Sequence, residues 1–590
     1  MTPTMSPTIA INATAAFVEA TEEHTHDAWN SVLLNVTMIG CLLLAYYVKK
    51  FRMYYLPESA GALLTGVVVG GIARLSTDRL QLFEFVRNIW FGSMLPTLPK
   101  NISNLFYPFL YFYRFLLQSP EVFFFVLLPP IIFEAGYSLK RKDFFDNIGA
   151  ITLYAMVGTI ISTFVVGGLS FQAARAGLVK NVDASNPMEA LLFGALISAV
   201  DPVATLSIMG SKELKCDPLL YSLVFGESVL NDAIAISLFN VFAKYYDPDG
   251  PDFTGSQIPA ALTMFLLVSG LSVLVGISLG LLASFLYKHT TLRDYPHLET
   301  SLLFMFCYLC YSTAEALGLS GIMALFFQGI VLSHYNSYNL SDTAHVASEE
   351  IFMTLATIAE TAVFLYMGMS VFTGKQSNFD VVFSILALAL CLLGRFLNIF
   401  PLSWIANRCR RDPRTYIPFR MQCVLWFAGL RGAIAFALAM NMPGRHREVY
   451  ATTTLFICIF TTVVCGGLTD RMLTRFGMKT NLRDMETSFA DESEQSYESD
   501  ENGQEDKEEN GGGQATSPLS RRGPDTPLDR HRRRAYKGTK RLWKRIDNQY
   551  FKVYFGGVTH ESVRVSNNGD ELGDYELGST AEKDDDDSDA

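Results

Sequence analysis

The most informative stretch of this chain is Leu223-Val-Phe-Gly-Glu-Ser-Val-Leu-Asn-Asp-Ala-Ile-Ala-Ile-Ser-Leu-Phe239. It places Glu227, Ser228, Asn231 and Asp232 in a helix-length segment that is otherwise apolar. In a bilayer, a carboxylate at mid-span costs roughly 2.5–3.5 kcal/mol, so such side chains face a protein interior or a water-filled path. Two acids in one span therefore indicate ion or proton handling by a membrane protein.

The composition of the chain supports this reading. Of its 590 residues, 50% are hydrophobic and only 18% are charged, whereas a soluble domain carries about 25% charged residues. These values exclude a soluble enzyme and a protein with a single membrane anchor. Composition also changes along the chain, and we divide it into an N-terminus on the luminal or extracellular side (1–30), a transmembrane domain (31–480) and a cytosolic, largely disordered tail (481–590).

We predict an all-α polytopic fold with about thirteen spans of roughly 20 apolar residues, the length that crosses a ~30 Å hydrocarbon core. They lie near 31–48, 57–75, 121–138, 147–170, 189–210, 219–242, 258–287, 299–317, 319–334, 351–372, 379–404, 420–441 and 449–468. The segment 103–118 is short, aromatic and interrupted by proline, so we assign it to an interface or a luminal loop.

Basic residues fix the predicted orientation, because Lys and Arg near span ends collect on the cytoplasmic side. Here they follow odd-numbered spans, at 49–52, 140–142, 212–215, 288–293, 408–414 and 471–479. The N-terminus is therefore predicted outside or in the lumen. Asn12 and Asn101 lie in sequons on that side and are predicted glycosylation sites. The first span lacks a basic n-region, so we favour its retention over cleavage as a signal peptide.

Two spans are interrupted by residues that disturb a helix. Asp201 and Pro202 interrupt the fifth span, and Pro202 removes a backbone donor there. In the twelfth span, Gly429 and Gly432 flank Arg431. Irregular backbone at membrane depth is tolerated beside protein or water, and paired breaks in two halves are typical of inverted-repeat transporters. The alternatives are a simple proline kink and a glycine packing patch.

Arg395 lies well inside the eleventh span. A buried arginine is rarely unpaired, and Glu227 is a natural partner. We predict that this pair is structural and leaves Asp232 free to titrate. The alternative is that Arg395 extends to the membrane interface.

Several segments together form a recognisable set of motifs: Leu56-Pro-Glu-Ser59, Leu127-Leu-Pro-Pro-Ile-Ile-Phe-Glu-Ala-Gly-Tyr137, Ser198-Ala-Val-Asp-Pro-Val203, Phe225-Gly-Glu-Ser-Val-Leu-Asn-Asp232, Gly394-Arg395 and Gly429-Leu-Arg-Gly-Ala433. Through these motifs the chain, over roughly residues 30–475, resembles the eukaryotic sodium/proton exchangers of the monovalent cation/proton antiporter superfamily. It is most similar to the Golgi and endosomal branch at Phe133-Glu-Ala-Gly-Tyr-Ser-Leu139, Ser198-Ala-Val-Asp-Pro-Val-Ala-Thr205 and Ile330-Val-Leu-Ser-His-Tyr335.

The resemblance implies a thirteen-span, usually homodimeric antiporter whose core, with crossed discontinuous helices, moves against a dimerisation domain. It makes Asp232 the principal carboxylate for Na⁺ and H⁺, with Asn231 before it as in electroneutral members. Asp201 would share the Na⁺ site at the crossing, and Ser228 and Thr205 would add oxygen ligands.

The same resemblance assigns further roles. It makes Glu227 and Arg395 the core ion pair. It marks Glu360 as another membrane acid and implies an amiloride-type inhibitor segment at Phe123, Phe124, Phe125, Leu128, Pro129 and Pro130. It also favours a Golgi or endosomal membrane over the plasma membrane.

The chemistry of the ions is consistent with this assignment. Na⁺ prefers carboxylate, hydroxyl and carbonyl oxygens, and a proton competes with it for one carboxylate. A one-for-one exchange moves no net charge, and Asn231 does not titrate. K⁺ and Li⁺ accept the same oxygens, so the choice of cation stays open. The sequence has no P-loop motif, so we expect an ion gradient as the driving force. We expect no cofactor and no enzymatic activity. Two classes compete with this assignment: a channel or ion-gated receptor with the same spans, and an intramembrane enzyme such as a protease.

The tail carries acidic runs at 486–512 and 582–590 and a basic segment, Arg530–Arg545, with interleaved aromatic residues. The basic segment is predicted either to contact anionic lipid or calmodulin or to be a solvated stretch balanced by its acidic neighbours. Asp547-Asn-Gln-Tyr-Phe551 resembles a short tail motif of organellar exchangers, and we expect an ordered contact there. No nucleic-acid partner is predicted.

Overall fold

The computed structural model describes a membrane domain and one short piece of the tail. The described residues are 32, 34–51, 56–78, 123–139, 141–179, 181–201, 205–206, 209, 217–246, 257–373, 379–410, 416–478 and 547–556. All regular structure within these ranges is helical, which confirms the predicted all-α fold. The segment 103–118, the sequons at Asn12 and Asn101, and the basic stretch Arg530–Arg545 lie outside them.

The helices follow the predicted spans in order. They are α1 (34–50), α2 (Glu58–Asp78), α3 (Leu128–Tyr137, preceded by a π-helical turn Phe123–Leu127), α4 (Arg141–Thr152), α5 (Thr159–Arg175), α6 (Met188–Ser198), α7 (Pro218–Lys244), α8 (Ile258–His289), α9 (Pro296–Ala316), α10 (Gly321–Tyr335), α11 (Asp342–Thr373), α12 (Val381–Cys409), α13 (Phe419–Phe427), α14 (Ala433–Met440), α15 (Arg447–Phe460) and α16 (Gly466–Arg475). The described tail forms a π-helical turn, Asp547–Phe551, and α17, Lys552–Phe555.

Six continuous stretches in the described chain are long and apolar enough to cross a membrane: Phe144–Arg175, Pro218–Lys244, Ile258–His289, Asp342–Phe372, Val381–Cys409 and Arg447–Arg475. Shorter apolar helices occupy Glu58–Ile72, Phe123–Tyr137 and Met188–Ser198. Two of these stretches each contain two α-helices. The π-helical turn Leu153–Gly158 joins α4 to α5, and the π-helical turn Thr461–Cys465 joins α15 to α16. Such turns are frequent at functional sites.

The helices pack as two groups. The scaffold group comprises α2, α3 and α8–α11, in which α2 packs on α11 and α8 packs on α10. The site group comprises α4–α7 and α12–α16, in which α5 packs on α6 and α12, and α7 packs on α4 and α6. Contacts between the groups are fewer and run mainly from α7 to α8 and from α11 to α14. The stretch that opened the sequence analysis, α7, therefore lies in the site group and borders the scaffold group.

Candidate ion-binding site

Two helices break where the sequence predicts irregular backbone. Helix α6 ends at Ser198 because Ala199 is extended, with φ −58° and ψ 129°. Helix α13 ends at Phe427, and α14 begins after Gly432, which is also extended, with φ −141° and ψ −149°. The amide of Asp201 donates to the carbonyl of Leu430 at 3.0 Å. The two breaks therefore cross and share a backbone hydrogen bond, which confirms the predicted crossed discontinuous helices. Pro202 itself lies outside the described residues.

Arg431 satisfies the carbonyl end of α6. Its Nη1 donates to the carbonyls of Ser198 and Ala199, both at 2.9 Å, and its Nε donates to Cys391 Sγ at 3.0 Å. The last carbonyls of a helix have no partner within the helix and carry partial negative charge. The side chain is 1% exposed. Arg431 thus donates hydrogen bonds from its buried guanidinium to the carbonyls at this helix end.

The π-helical turn after α15 holds the backbone of Arg431. The amide of Arg431 donates to Thr461 Oγ1 at 3.1 Å, and Thr462 Oγ1 donates to the Arg431 carbonyl at 3.3 Å. These threonines look like ordinary residues of an apolar span, and sequence reasoning missed them. Only their proximity in the fold reveals that they fix the second break.

Helix α7 holds the backbone of the first break. Asn231 Oδ1 accepts from the amide of Val200 at 3.0 Å, and Asn231 Nδ2 donates to Thr159 Oγ1 at 2.6 Å. The hydroxyl of Ser228 donates to the carbonyl of Val200. Both polar groups of Val200 are therefore satisfied by side chains of α7. Thr159, the first residue after a π-helical turn, was also missed from the sequence.

Asp232 differs from its neighbours on α7. It is 7% exposed, and among the described residues its Oδ1 is a buried acceptor with no hydrogen-bond partner. Asp201 and Arg431 are charged side chains close enough to interact with it. Buried polar atoms are paired in the great majority of cases, so an unpaired carboxylate oxygen needs an explanation. A site that binds a proton or a cation at this oxygen would explain it.

Gly432 leaves room for the carboxylate of Asp201. A Cβ at position 432 would overlap Asp201 Oδ2. The Asp201 carboxylate therefore lies against the second break, and it interacts electrostatically with Asp232. The sequence marked Gly432 as a helix breaker, whereas the structure gives the position a steric requirement as well.

Glu227 and Arg395 form a bidentate ion pair. Arg395 Nη1 bonds Glu227 Oε1, and Nη2 lies 3.1 Å from Oε2. The same Nη2 donates to the carbonyl of Leu425 at 2.8 Å, so the pair joins α7, α12 and α13. The residues are 1% and 3% exposed. A Cβ at Gly429 would lie 2.5 Å from Arg395 Nε, so the first glycine of the break makes space for this guanidinium.

Two further predicted residues are Thr205 and Glu360. Thr205 is fully buried in the segment that follows the first break. Glu360 lies on α11 of the scaffold group and interacts electrostatically with Asp201, Glu134 and Glu58. Glu134, which also bonds Ser138 through Oε1 at 2.8 Å, was not singled out from the sequence.

The predicted inhibitor segment spans the junction of the π-helical turn and α3. Phe123, Leu128, Pro129 and Pro130 are buried, and Phe124 is half-buried. Phe125 is 45% exposed and packs edge-on against Tyr311 of α9. The segment therefore belongs to the scaffold group, and its role as an inhibitor site stays a prediction. Within the described residues, no three His, Cys, Asp or Glu side chains gather into a cluster that could hold a metal ion.

The fold has a solved counterpart. The sodium proton antiporter MjNhaP1 from Methanocaldococcus jannaschii aligns with a TM-score of 0.51 over 76% of this chain and 97% of that chain, at 16% identity. Crossed broken helices near a buried carboxylate, on an all-helical membrane fold, define a secondary active transporter.

The sequence comparisons identify the family. Residues 39–475 match the family described as sodium/hydrogen exchanger, transmembrane. Human sodium/hydrogen exchanger 8 is 38% identical over 433 residues, which cover 73% of this chain and 68% of that protein. Mouse sodium/hydrogen exchanger 9 is 36% identical over 484 residues, which cover 78% of this chain and 74% of that protein. The chain belongs to the sodium/hydrogen exchanger family.

Proposed function

We propose that the chain is an electroneutral antiporter that exchanges Na⁺ for H⁺ at Asp232. The observation that carries this proposal is the unpaired Asp232 Oδ1, buried near Asp201 where the two broken helices cross. Membership of the sodium/hydrogen exchanger family supports the same activity.

The arrangement favours competition between one cation and one proton. Na⁺ is a hard cation that binds carboxylate, hydroxyl and carbonyl oxygens. Asp232 supplies one carboxylate and Asp201 supplies a second. Ser228, on the same helix as Asp232, and Thr205, shortly after Asp201 in the sequence, carry hydroxyl groups. A proton on Asp232 removes its negative charge and one acceptor site, so a bound proton and a bound Na⁺ exclude each other.

The neighbouring ionisable groups leave Asp232 to carry the exchanged charge. Glu227 is committed to Arg395. Asn231 cannot titrate and uses both ends of its amide to hold Val200 and Thr159. When one proton replaces one Na⁺ at Asp232, the charge of the site does not change, and the cycle is electroneutral.

Acids of the scaffold group support a route to the site from the cytosol. Glu58 begins α2, and its Oε1 lies 3.0 Å from Nζ of Lys49, in the basic segment 49–52 that the sequence places on the cytosolic side. Glu134 lies near the end of α3, before the basic segment 140–142. Both interact with Glu360, which in turn interacts with Asp201. These acids supply proton-binding side chains that interact with one another and with Asp201.

The wider setting belongs to the same proposal. Alternate access would come from movement of the site group against the scaffold group. We further propose that the protein forms a homodimer in an organellar membrane and that it also accepts K⁺ or Li⁺. The similarity to sodium/hydrogen exchangers 8 and 9 supports the antiporter assignment.

Exchange in proteoliposomes tests the proposal. Acid-loaded vesicles receive Na⁺, K⁺ and Li⁺ in turn, and internal pH is recorded with and without a voltage clamp. We expect Na⁺ to raise internal pH at the same rate under both conditions, and Asp232→Asn to abolish the response. The control is Asp294→Asn, at an exposed acid outside the site. Robust exchange by Asp232→Asn would overturn the assignment.

A further inference from the structure

The described piece of the tail, residues 547–556, lies against the ends of two membrane helices; we call it the tail clip. Asp547 is 7% exposed although it follows a polar tail. Its Oδ1 accepts from the hydroxyl of Tyr335 at 2.7 Å. Its Oδ2 lies 3.6 Å from His334 Nε2 and 3.7 Å from Lys552 Nζ. The first residue of the clip is thus bound by the last residues of α10.

The carbonyl end of the clip is satisfied by side chains from the membrane domain. Lys288 Nζ, near the end of α8, donates to the carbonyls of Lys552 at 3.0 Å and Val553 at 2.5 Å. Asn339 Nδ2 donates to the carbonyl of Phe555 at 2.8 Å. A short helix cannot satisfy its last carbonyls by itself. Lys288 and Asn339 therefore supply hydrogen-bond donors to the last carbonyls of α17.

Aromatic residues form the third part of the contact. Phe551 stacks on Tyr335 with ring centroids 6.3 Å apart. Phe555 packs edge-on against both Tyr335 and Phe285, at 6.3 and 6.4 Å. The opposite face of the clip points outward, and Tyr554 is 55% exposed. One face of the clip is therefore fitted to α8 and α10.

Gly556 ends the clip in a conformation that favours glycine. Its φ is +113°, a region that other residues rarely adopt. A Cβ at this position would also overlap Asn339 Oδ1 and lie 2.6 Å from the carbonyl of Tyr335. Both ends of the clip therefore fit the docking surface: Asp547 binds the end of α10, and Gly556 packs closely against Asn339 and Tyr335.

We propose that residues 547–556 dock in cis on the ends of α8 and α10, and that they fasten the tail to the scaffold group. The tail leaves the membrane domain after α16, which belongs to the site group. Docking of the clip therefore ties the tail, through the continuity of the chain, to both helix groups on the side predicted to be cytosolic. The occupant of this surface is the chain's own tail.

Hydrogen–deuterium exchange of the full chain tests the docking, since amide protection reports local opening. In the unaltered protein we expect slow exchange across 551–556. Asp547→Lys and Gly556→Ala should speed exchange there by at least about tenfold, because they remove hydrogen bonds to charged groups or add a clash. Lys288→Ala and Asn339→Ala, on the membrane-domain side, should do the same. Tyr554→Ser, on the exposed face, is the matched control and should change nothing.

The outcomes separate the proposal from its alternatives. Fast exchange of 551–556 in the unaltered protein, or no response to the membrane-domain variants, would overturn the docking site. A photoreactive benzoylphenylalanine in place of Phe555, whose ring packs against Phe285, distinguishes cis from trans docking. We expect a cross-link to 284–289 within one chain, migrating as a monomer. A product of dimer size would overturn cis docking. Neither readout requires transport, so failure of the proposed exchange activity would leave this test intact.

Discussion

Two acids on one helix have opposite surroundings. Glu227 faces a guanidinium that bonds both of its oxygens, whereas Asp232, a turn and a half further along α7, keeps one buried oxygen unpaired among the described residues. A fully paired carboxylate cannot exchange ligands without leaving a buried charge behind. At the scale of single residues, the structure therefore separates a structural acid from the proposed transport acid.

This difference predicts opposite effects of neutralising the two acids. Glu227→Gln leaves Arg395 charged and buried, and breaking a buried pair costs about 3–5 kcal/mol. We expect a large loss of folded protein. Asp232→Asn removes a carboxylate whose Oδ1 has no hydrogen-bond partner among the described residues, and we expect normal abundance without exchange. Thermal unfolding and the yield of the purified variants measure this. Equal stability of the two variants would contradict the structural role of the pair.

Gly432 offers a second test at residue scale. In Gly432→Ala the added Cβ overlaps the Asp201 carboxylate, so we expect exchange to fall while the protein still reaches the membrane. The control is Gly168→Ala on α5, where a Cβ meets no atom within 4 Å. Rates of Na⁺-driven pH change compare the two. Unimpaired exchange by Gly432→Ala would show that the position of Asp201 is not critical.

At the scale of elements, the molecule depends on how two helices stop. Helix α6 presents its last carbonyls to Arg431, and the break in the twelfth span places that arginine between two glycines. In the first break, Asn231 and Ser228 of α7 form hydrogen bonds with the amide and the carbonyl of Val200. Such backbone is tolerated at membrane depth only when buried partners replace the helical hydrogen bonds.

Loss of the Arg431 side chain should therefore open the crossing. Arg431→Gln removes the charge-assisted bonds to Ser198 and Ala199, each worth about 1.5–3 kcal/mol. We expect lower stability and loss of exchange together, with partial recovery in Arg431→Lys. Arg447→Gln, at an exposed arginine, is the control. Full activity of Arg431→Gln would mean that the α6 end is satisfied in another way.

At the scale of the whole molecule, the site group carries Asp232, and the scaffold group carries Glu360, Glu134 and the docking surface of the tail clip. The border between the groups is lined by α7, α14 and α15 on one side and by α8, α10 and α11 on the other. A cation that reaches Asp232 along this border meets both groups. We expect relative movement of the two groups to expose the site to alternate sides.

The charge balance of the whole cycle gives a further prediction. Asn231→Asp adds a titratable group next to Asp232 while keeping an oxygen for the Val200 amide. We expect exchange by the unaltered protein to be independent of membrane voltage, and exchange by Asn231→Asp to depend on it. Vesicles with and without a K⁺–valinomycin clamp provide the measurement. A voltage response of the unaltered protein would contradict an electroneutral cycle.

Hydropathy, helix breakers and isolated charges are local properties, so the sequence alone determined the order of the spans, the two breaks and the need for a partner of Arg395. The tertiary structure alone decided the contacts that are distant in the chain. It paired Arg431 with the end of α6, brought Thr159 and Thr461 to the crossing, placed Asp201 over Gly432 and docked the clip on α8 and α10. These contacts depend on which helix faces meet, and no single span encodes that.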